Sequence, residues 1–273
     1  MRLGIFAKTF SRPALDGVLD AVAAHGLICI HFNMACAGLP AMPDAIDPDL
    51  AERVRAAIVQ RGLKMAAVSG TYNMIHPDRQ VRADGLRRLA VLAQAAPLMG
   101  TSVITLCTGT RDPHDQWRRH PDNARPDAWA DLCREMALAL QMAEDHGLIL
   151  GVEPETANVV DSAPAARRLL DEMRSSHLQI VLDAANLLRP ETVADQAAIL
   201  DQALDLLGDD LVMAHAKDIT PDGRHVAAGT GVLDYARYID GLQEIGFAGP
   251  LILHGLAENE VGNAVGFVRR LIG

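Results

Sequence analysis

A single closed (β/α)8 barrel is the fold class that this sequence predicts, and three observations predict it. Short apolar, β-branched runs alternate with longer amphipathic stretches from one end of the chain to the other. Eight such pairs fit into 273 residues, a length one barrel domain of ~250 residues accommodates. Several amphipathic stretches close in a glycine just before the next apolar run, where a helix needs a left-handed final residue.

The elements follow in order. LGIF from Leu3 precedes a helix over 13–25, with Pro13 near its first turn and AAHGL at its end. ICIHF from Ile28 precedes 48–61, opened by Pro48 and closed at VQRGL, and KMAAVSG from Lys64 precedes 78–98. SVITLCT from Ser102 leads to 128–146, which ends in EDHGL, and LILGVE from Leu148 leads to 162–174, with Pro164 near the first turn. LQIVLD from Leu178 precedes 192–207, LVMAHA from Leu211 precedes 233–245 with its QEIGF ending, and PLILH from Pro250 precedes 259–271. Near-continuous apolar strands of this kind require a parallel sheet covered on both faces. An open doubly wound sheet is the second fold, weakened because GIFAKTFSRP after the first strand lacks a G-x-G-x-x-G turn. No linker or composition shift divides the chain, so residues 1–273 read as one domain.

Charge and cysteine usage narrow the function classes. Thirty-five acidic against 25 basic side chains, a formal net charge of −10, argue against a face built to neutralise nucleic-acid phosphates. Cys29, Cys36, Cys107 and Cys133 form no C-x-x-C pair and read as reduced packing thiols. The start, MRLGIFAKTF, lacks a leader-like apolar region, and no run approaches the ~18 apolar residues of a membrane span, so a cytoplasmic protein without a membrane partner is expected.

In such a barrel the chemistry sits at the carboxyl ends of the strands. Polar residues gather there: His31 and Asn33 after the second strand, Ser69, Asn73 and His76 after the third, Glu153 and Glu155 at the fifth, Asp183 and Asn186 at the sixth, His215 and Lys217 at the seventh, and His254 at the eighth. Glu153, Asp183, His215 and His254 end four successive strands, so their side chains can converge. Two carboxylates and two imidazoles suit a divalent ion such as manganese, cobalt, magnesium or zinc. Each residue alone has an ordinary reading as a helix cap, a loop solvator or a core histidine. The coincidence of four at equivalent positions points to a metal or catalytic cluster.

GVEPETANVV, IVLDAANLL and AHAKDI, in this order and at these intervals, resemble the xylose isomerase-like TIM-barrel family over essentially the whole chain. That family holds sugar isomerases, epimerases, related lyases and an apurinic-site endonuclease branch. The resemblance implies Glu153, Asp183 and His215 as metal ligands. At the fourth position, where the family commonly has glutamate, stands His254. The implied activity is a metal-dependent isomerase or epimerase of a sugar or sugar phosphate, working through an enediolate with Glu153 and His254 as catalytic candidates. Two carboxylates rather than three leave a bound ion less neutralised and a stronger Lewis acid. Whether His254 is a fourth ligand or a base stays open at this level. A lyase or hydratase acting on a keto-sugar or sugar glycoside at the same metal is the alternative. An endonuclease-like phosphodiesterase is disfavoured by the charge and by Asn186 where a further ligand would be needed.

The remaining candidates concern a small-molecule carbohydrate partner. The loop 108–127 is far longer than a usual βα connection and reads as a lid that moves on binding. Within it Trp117 could stack on a sugar ring, and Arg118 or Arg119 could meet an anionic group. Asn73 and His76 could bind hydroxyls, with a helix-start role for His76 as the alternative. Glu155 and Asn186 could also contact substrate, and Lys217 with Asp218 reads as a pair that fixes His215 or as a plain surface pair. Replacing Asp183 with Ala is expected to abolish metal binding with little loss of fold. The resemblance also implies a homo-oligomer.

Overall fold

In the computed structural model, which describes residues 1–273, each of the eight expected runs forms a strand: β1 (Arg2–Phe6), β2 (Cys29–Phe32), β3 (Lys64–Ser69), β4 (Val103–Cys107), β5 (Ile149–Glu153), β6 (Leu178–Asp183), β7 (Leu211–Ala216) and β8 (Pro250–Leu253). Each pairs in parallel with the next, and β8 closes on β1 from Arg2↔Pro250 to Ile5↔Leu253. The helices are α1 (Leu15–Ala24), α2 (Pro48–Gln60), α3 (Arg79–Met99), α4 (Pro126–His146), α5 (Ala163–Met173), α6 (Gln196–Leu207), α7 (Tyr235–Glu244) and α8 (Val261–Ile272). The sequence gives no sign of one further feature, a two-stranded antiparallel hairpin of Asp218–Ile219 with His225–Val226 in the loop after β7. No helix is long and apolar enough to cross a membrane.

The helix boundaries follow local chemistry. Pro48 is the first residue of α2, where its missing N–H costs nothing, and the Asp47 carboxylate accepts from Asp49 N at 2.9 Å. Pro13 instead lies outside α1, because the extended Ala14 caps that helix and Leu15 begins it. Gly62 and Gly147 end their helices at φ +67° and +64°, the left-handed conformation the sequence pattern requires.

Side chains alternate across each strand, so the barrel has two apolar regions. Leu3 and Ile5 of β1 belong to the large core between strands and helices, whereas Phe6, Cys29, Ala67, Val181, Met213 and Ile252 form a small separate cluster inside the barrel. One turn above that plug, toward the carboxyl ends, the inward positions are polar. Tyr238 of α7, fully buried, donates its hydroxyl to Leu182 O (3.0 Å) and His215 O (3.1 Å), which ties the helix layer to β6 and β7 beside these polar positions.

Helix α3 approaches the β3 loop so closely that a Cβ built on Gly85 would lie 2.1 Å from the Tyr72 ring. Alanine would improve helix propensity by ~1 kcal/mol, but overpacking a buried contact costs ~1–3 kcal/mol and should win. Gly85→Ala should therefore lower the urea midpoint of unfolding. A midpoint at or above that of the parent protein would contradict this packing.

Candidate active site

Three side chains converge at the upper end of the barrel interior. Glu153 and Asp183 are the last residues of β5 and β6, and Asp183 is in register with His215 of β7. His215 Nδ1 lies 3.2 Å from Glu153 Oε1 and 3.3 Å from Asp183 Oδ2. The potential ligand atoms of the three residues all fall within 4.8 Å of one another, and Asp183 and His215 are buried. The sequence D-A-A-N creates part of this arrangement. Asp183 ends the strand and turns its Oδ1 back to accept from Ala185 N (3.0 Å) and Asn186 N (3.4 Å), starting a 3-10 turn. That turn brings Asn186 inward, where Nδ2 donates to Glu153 Oε1 at 2.6 Å and Oδ1 accepts from Lys217 Nζ. Lys217 is itself buried, with Nζ 3.1 Å from Asp183 Oδ2.

Burial makes these charges depend on one another. It pushes the His215 imidazole toward neutrality, but Glu153 and Asp183 more than reverse the effect and raise its pKa to about 9. Burial likewise opposes charge on Lys217, yet Asp183, Glu153 and Glu155 hold it in the ammonium form. Asp183 stays well below the usual carboxylate range in spite of its burial, held there by Lys217 and His215. Glu155 is pushed up to about 7, mainly by burial, which outweighs the pull of the Lys217 ammonium. His31 and His254 are both driven well below the ordinary histidine value, first by burial and then by the positive charge of His215.

A divalent cation fits this donor set. Two carboxylates face one imidazole nitrogen, and Asp183 Oδ2 and His215 Nε2 are buried without a hydrogen-bond partner of good geometry. His254 is not in the converging group. It follows β8 by one residue, with its ring stacked on His215 (centroids 5.0 Å apart) and on Phe6 (5.2 Å), and its Nδ1 is buried and unpartnered.

Above the cluster opens a cavity of about 490 Å³ whose walls include Lys8, His31, Glu155, Lys217, Trp117 and His254. Trp117 hangs over the mouth, about half exposed. Several other sequence candidates serve the loops instead. Both ends of the Asn73 amide bind Thr110, Nδ2 to its O (2.8 Å) and Oδ1 to its N (3.0 Å), so it joins the β3 and β4 loops. His76 takes its helix-start role, accepting from Asp78 N at 3.0 Å while Nε2 meets Pro113 O at 3.2 Å. Arg118 pairs with Asp112 inside its own loop. Lys217 and Asp218 do not pair: the Asp218 carboxylate gathers the N–H groups of Gly229, Gly231 and Leu233 at 2.9–3.0 Å. The long loop is also less free than its length suggests, because Thr108, Thr110 and Asp112 are buried and Asn123 and Asn158 hydrogen-bond across its base.

Sequence reasoning passed over Lys8 and His225, which also line the cavity. Lys8 lies two residues past the end of β1, a position at the carboxyl end of the strand that was available as a signal. His225 reaches the cavity only through the unforeseen hairpin.

The Asp183–Lys217 contact changes the expected behaviour of Asp183→Ala. Removing the carboxylate strands a buried ammonium, a loss of ~3–5 kcal/mol, so this variant should be markedly unstable rather than neutral to the fold. Asp183→Asn keeps the shape and an amide oxygen that can still accept from Lys217 Nζ, so it costs less than the alanine. It should stay folded by circular dichroism and lose manganese binding by calorimetry, and undiminished binding would remove Asp183 from the ligand set.

The model of the xylose isomerase-like TIM barrel family matches residues 19–271. Among curated proteins no sequence matches the chain. Solved structures do resemble it in fold. An apo 3-keto-D-glucoside 4-epimerase from E. coli superposes with a TM-score of 0.76 at 19% identity, over 99% of both chains. An L-ribulose 3-epimerase gives 0.75 at 17% identity, over 99% of this chain and 94% of that one. A D-psicose 3-epimerase from Clostridium cellulolyticum H10, solved with D-tagatose, gives 0.74 at 13% identity, over 100% and 99%.

Proposed function

The chain belongs to the xylose isomerase-like TIM-barrel family, and from that premise we propose that it is a metal-dependent carbohydrate isomerase or epimerase that moves a proton on a carbon next to a sugar carbonyl. The convergence of Glu153, Asp183 and His215 on one point at the floor of a polar cavity carries this reading. The epimerase structures of the same fold support it. A divalent ion held by these three residues would supply Lewis acidity toward a substrate oxygen.

The chain's own groups account for the rest. Lys217 keeps its ammonium at the cavity wall, where it can donate to an oxygen that gains negative charge as the C–H bond breaks. Glu153 Oε1 is engaged by Asn186 and His215, which leaves Glu155 as the freer carboxylate, with a pKa of about 7 suited to accepting and returning a proton. Neutral His254 reaches the same cavity from β8, three strands along from the β5 end that carries Glu155, and can exchange a proton from another side. The rings of Phe6 and Trp117 give the cavity apolar wall beside its polar groups. A lyase or hydratase acting on a keto-sugar or glycoside is the second reading. The neutral imidazole at His254, where the family commonly has a carboxylate, favours it.

Incubation with manganese in deuterated water against free and phosphorylated ketoses, aldoses and keto-glycosides tests the proposal. Deuterium beside the carbonyl with the carbon skeleton intact is the expected result. Release of an aglycone or an unsaturated product would select the lyase, and no exchange in any compound would contradict both. His254→Ala should lower turnover by at least ~100-fold while the melting temperature stays near that of the parent, since the ring is half-buried at a strand end. Full activity in this variant would deny His254 a chemical role.

A further inference from the structure

A neighbouring space adjoins the cavity above the Glu153, Asp183 and His215 cluster. A second cleft, also about 490 Å³, lies between the β3 and β4 loops and the start of α3, and Thr71 and Gln116 line both spaces. Either space alone falls within the range of small-ligand pockets. Resting on the isomerase reading above, we propose that the substrate is a two-part carbohydrate: a carbonyl-bearing sugar in the inner cavity, joined to a second neutral, hydroxyl-rich ring in the outer cleft.

The chemistry of the outer cleft selects that second part. Its arginine, Arg88, donates Nε to Asp44 at 2.8 Å, and Arg118 nearby is taken by Asp112, so both cations already have a carboxylate partner before any phosphate arrives. The neighbouring carboxylates of Asp84 and Asp115 repel one. What remains open is suited to hydroxyls: the side-chain amide of Gln116 and the imidazole of His114 make no hydrogen bond within the protein, and Asp84 has an oxygen free to accept. Met42 and the largely exposed Val81 supply apolar surface for the face of a ring.

Two sources share this chemistry. In a glycoside the anomeric carbon is locked, so the carbonyl that acidifies the neighbouring C–H must be a ring ketone, made beforehand by dehydrogenation of a ring hydroxyl. In a reducing disaccharide the carbonyl is that of the open reducing end. Either way one C–H bond breaks, its proton passes to a cavity base, its electrons flow onto the carbonyl oxygen, and a proton returns to carbon.

Calorimetry of the manganese-supplemented protein with glucose, cellobiose and glucose 6-phosphate tests the cleft without turnover. Cellobiose should bind at least tenfold more tightly than glucose, glucose 6-phosphate no more tightly than glucose, and Val81→Trp, which fills the cleft from an exposed helix position, should bring the cellobiose-to-glucose ratio toward one. Equal affinity for glucose and cellobiose, preference for the phosphate, or an unchanged ratio in Val81→Trp would overturn the proposal. A Gln116→Ala variant, which should lower the same ratio, guards against misfolding of the first. Deuterium exchange into cellobiose against a methyl cellobioside carrying one ring ketone then identifies the source. Exchange only in single-ring sugars would sink the two-part substrate and leave the isomerase reading standing. Exchange in no compound would overturn both.

Discussion

A fully buried carboxylate, Asp183, beside the half-buried Glu153 needs positive charge next to it, and this constraint organises the upper half of the molecule. Asp183 lies between the imidazole of His215 and the ammonium of Lys217, and Asn186 links Lys217 to Glu153. Each group's ionisation is set by the others more than by solvent, so removal of one leaves an uncompensated buried charge. The proposed divalent ion fits the same balance by taking the place of the proton on His215. Lys217 then adds a positive charge that a count of ligand carboxylates alone leaves out. It makes the centre still less neutralised than the replacement of a glutamate by His254 suggests, which strengthens its pull on a substrate oxygen.

His254 shows how the barrel wall tunes one residue type in different ways. His31, His215 and His254 form a run of stacked rings with Phe6, and all three lose solvent. Only His215 faces two carboxylates, and only it is driven toward the charged form. His31 Nε2 meets the Thr105 hydroxyl at 2.9 Å, and its Nδ1, like that of His254, is buried without a partner. Burial and the neighbouring charge keep His254 neutral and lower its basicity.

Much of this was legible in the amino-acid sequence, for a physical reason. Parallel strands buried on both faces are nearly continuous apolar runs, and helices that turn directly into strands need a left-handed glycine, so all eight strands and the closure of α2 and α4 could be read from composition along the chain. The strand ends were legible as well, because a polar residue terminating an apolar run has few other places to point. Partner choice was not. Asn73 and His76 have the right chemistry for hydroxyls and the right position for a site, yet their hydrogen bonds are taken by Thr110, Asp78 and Pro113, residues distant in sequence or hidden in a turn. Arg118 binds the carboxylate six residues before it, and Asp218 turns away from Lys217 to hold a loop. Such choices are settled by loop conformation, which carries no periodic signal. The hairpin that delivers His225 fails to register for the same reason.

If Glu153, Asp183 and His215 form one metal centre, anomalous diffraction at the manganese edge from crystals grown with that ion will locate it. A single strong peak is expected ~2.0–2.3 Å from a carboxylate oxygen of Glu153, a carboxylate oxygen of Asp183 and a ring nitrogen of His215. Manganese bound only elsewhere, with Lys217 still seated on Asp183 and His215 still bridging the two carboxylates, would contradict the account.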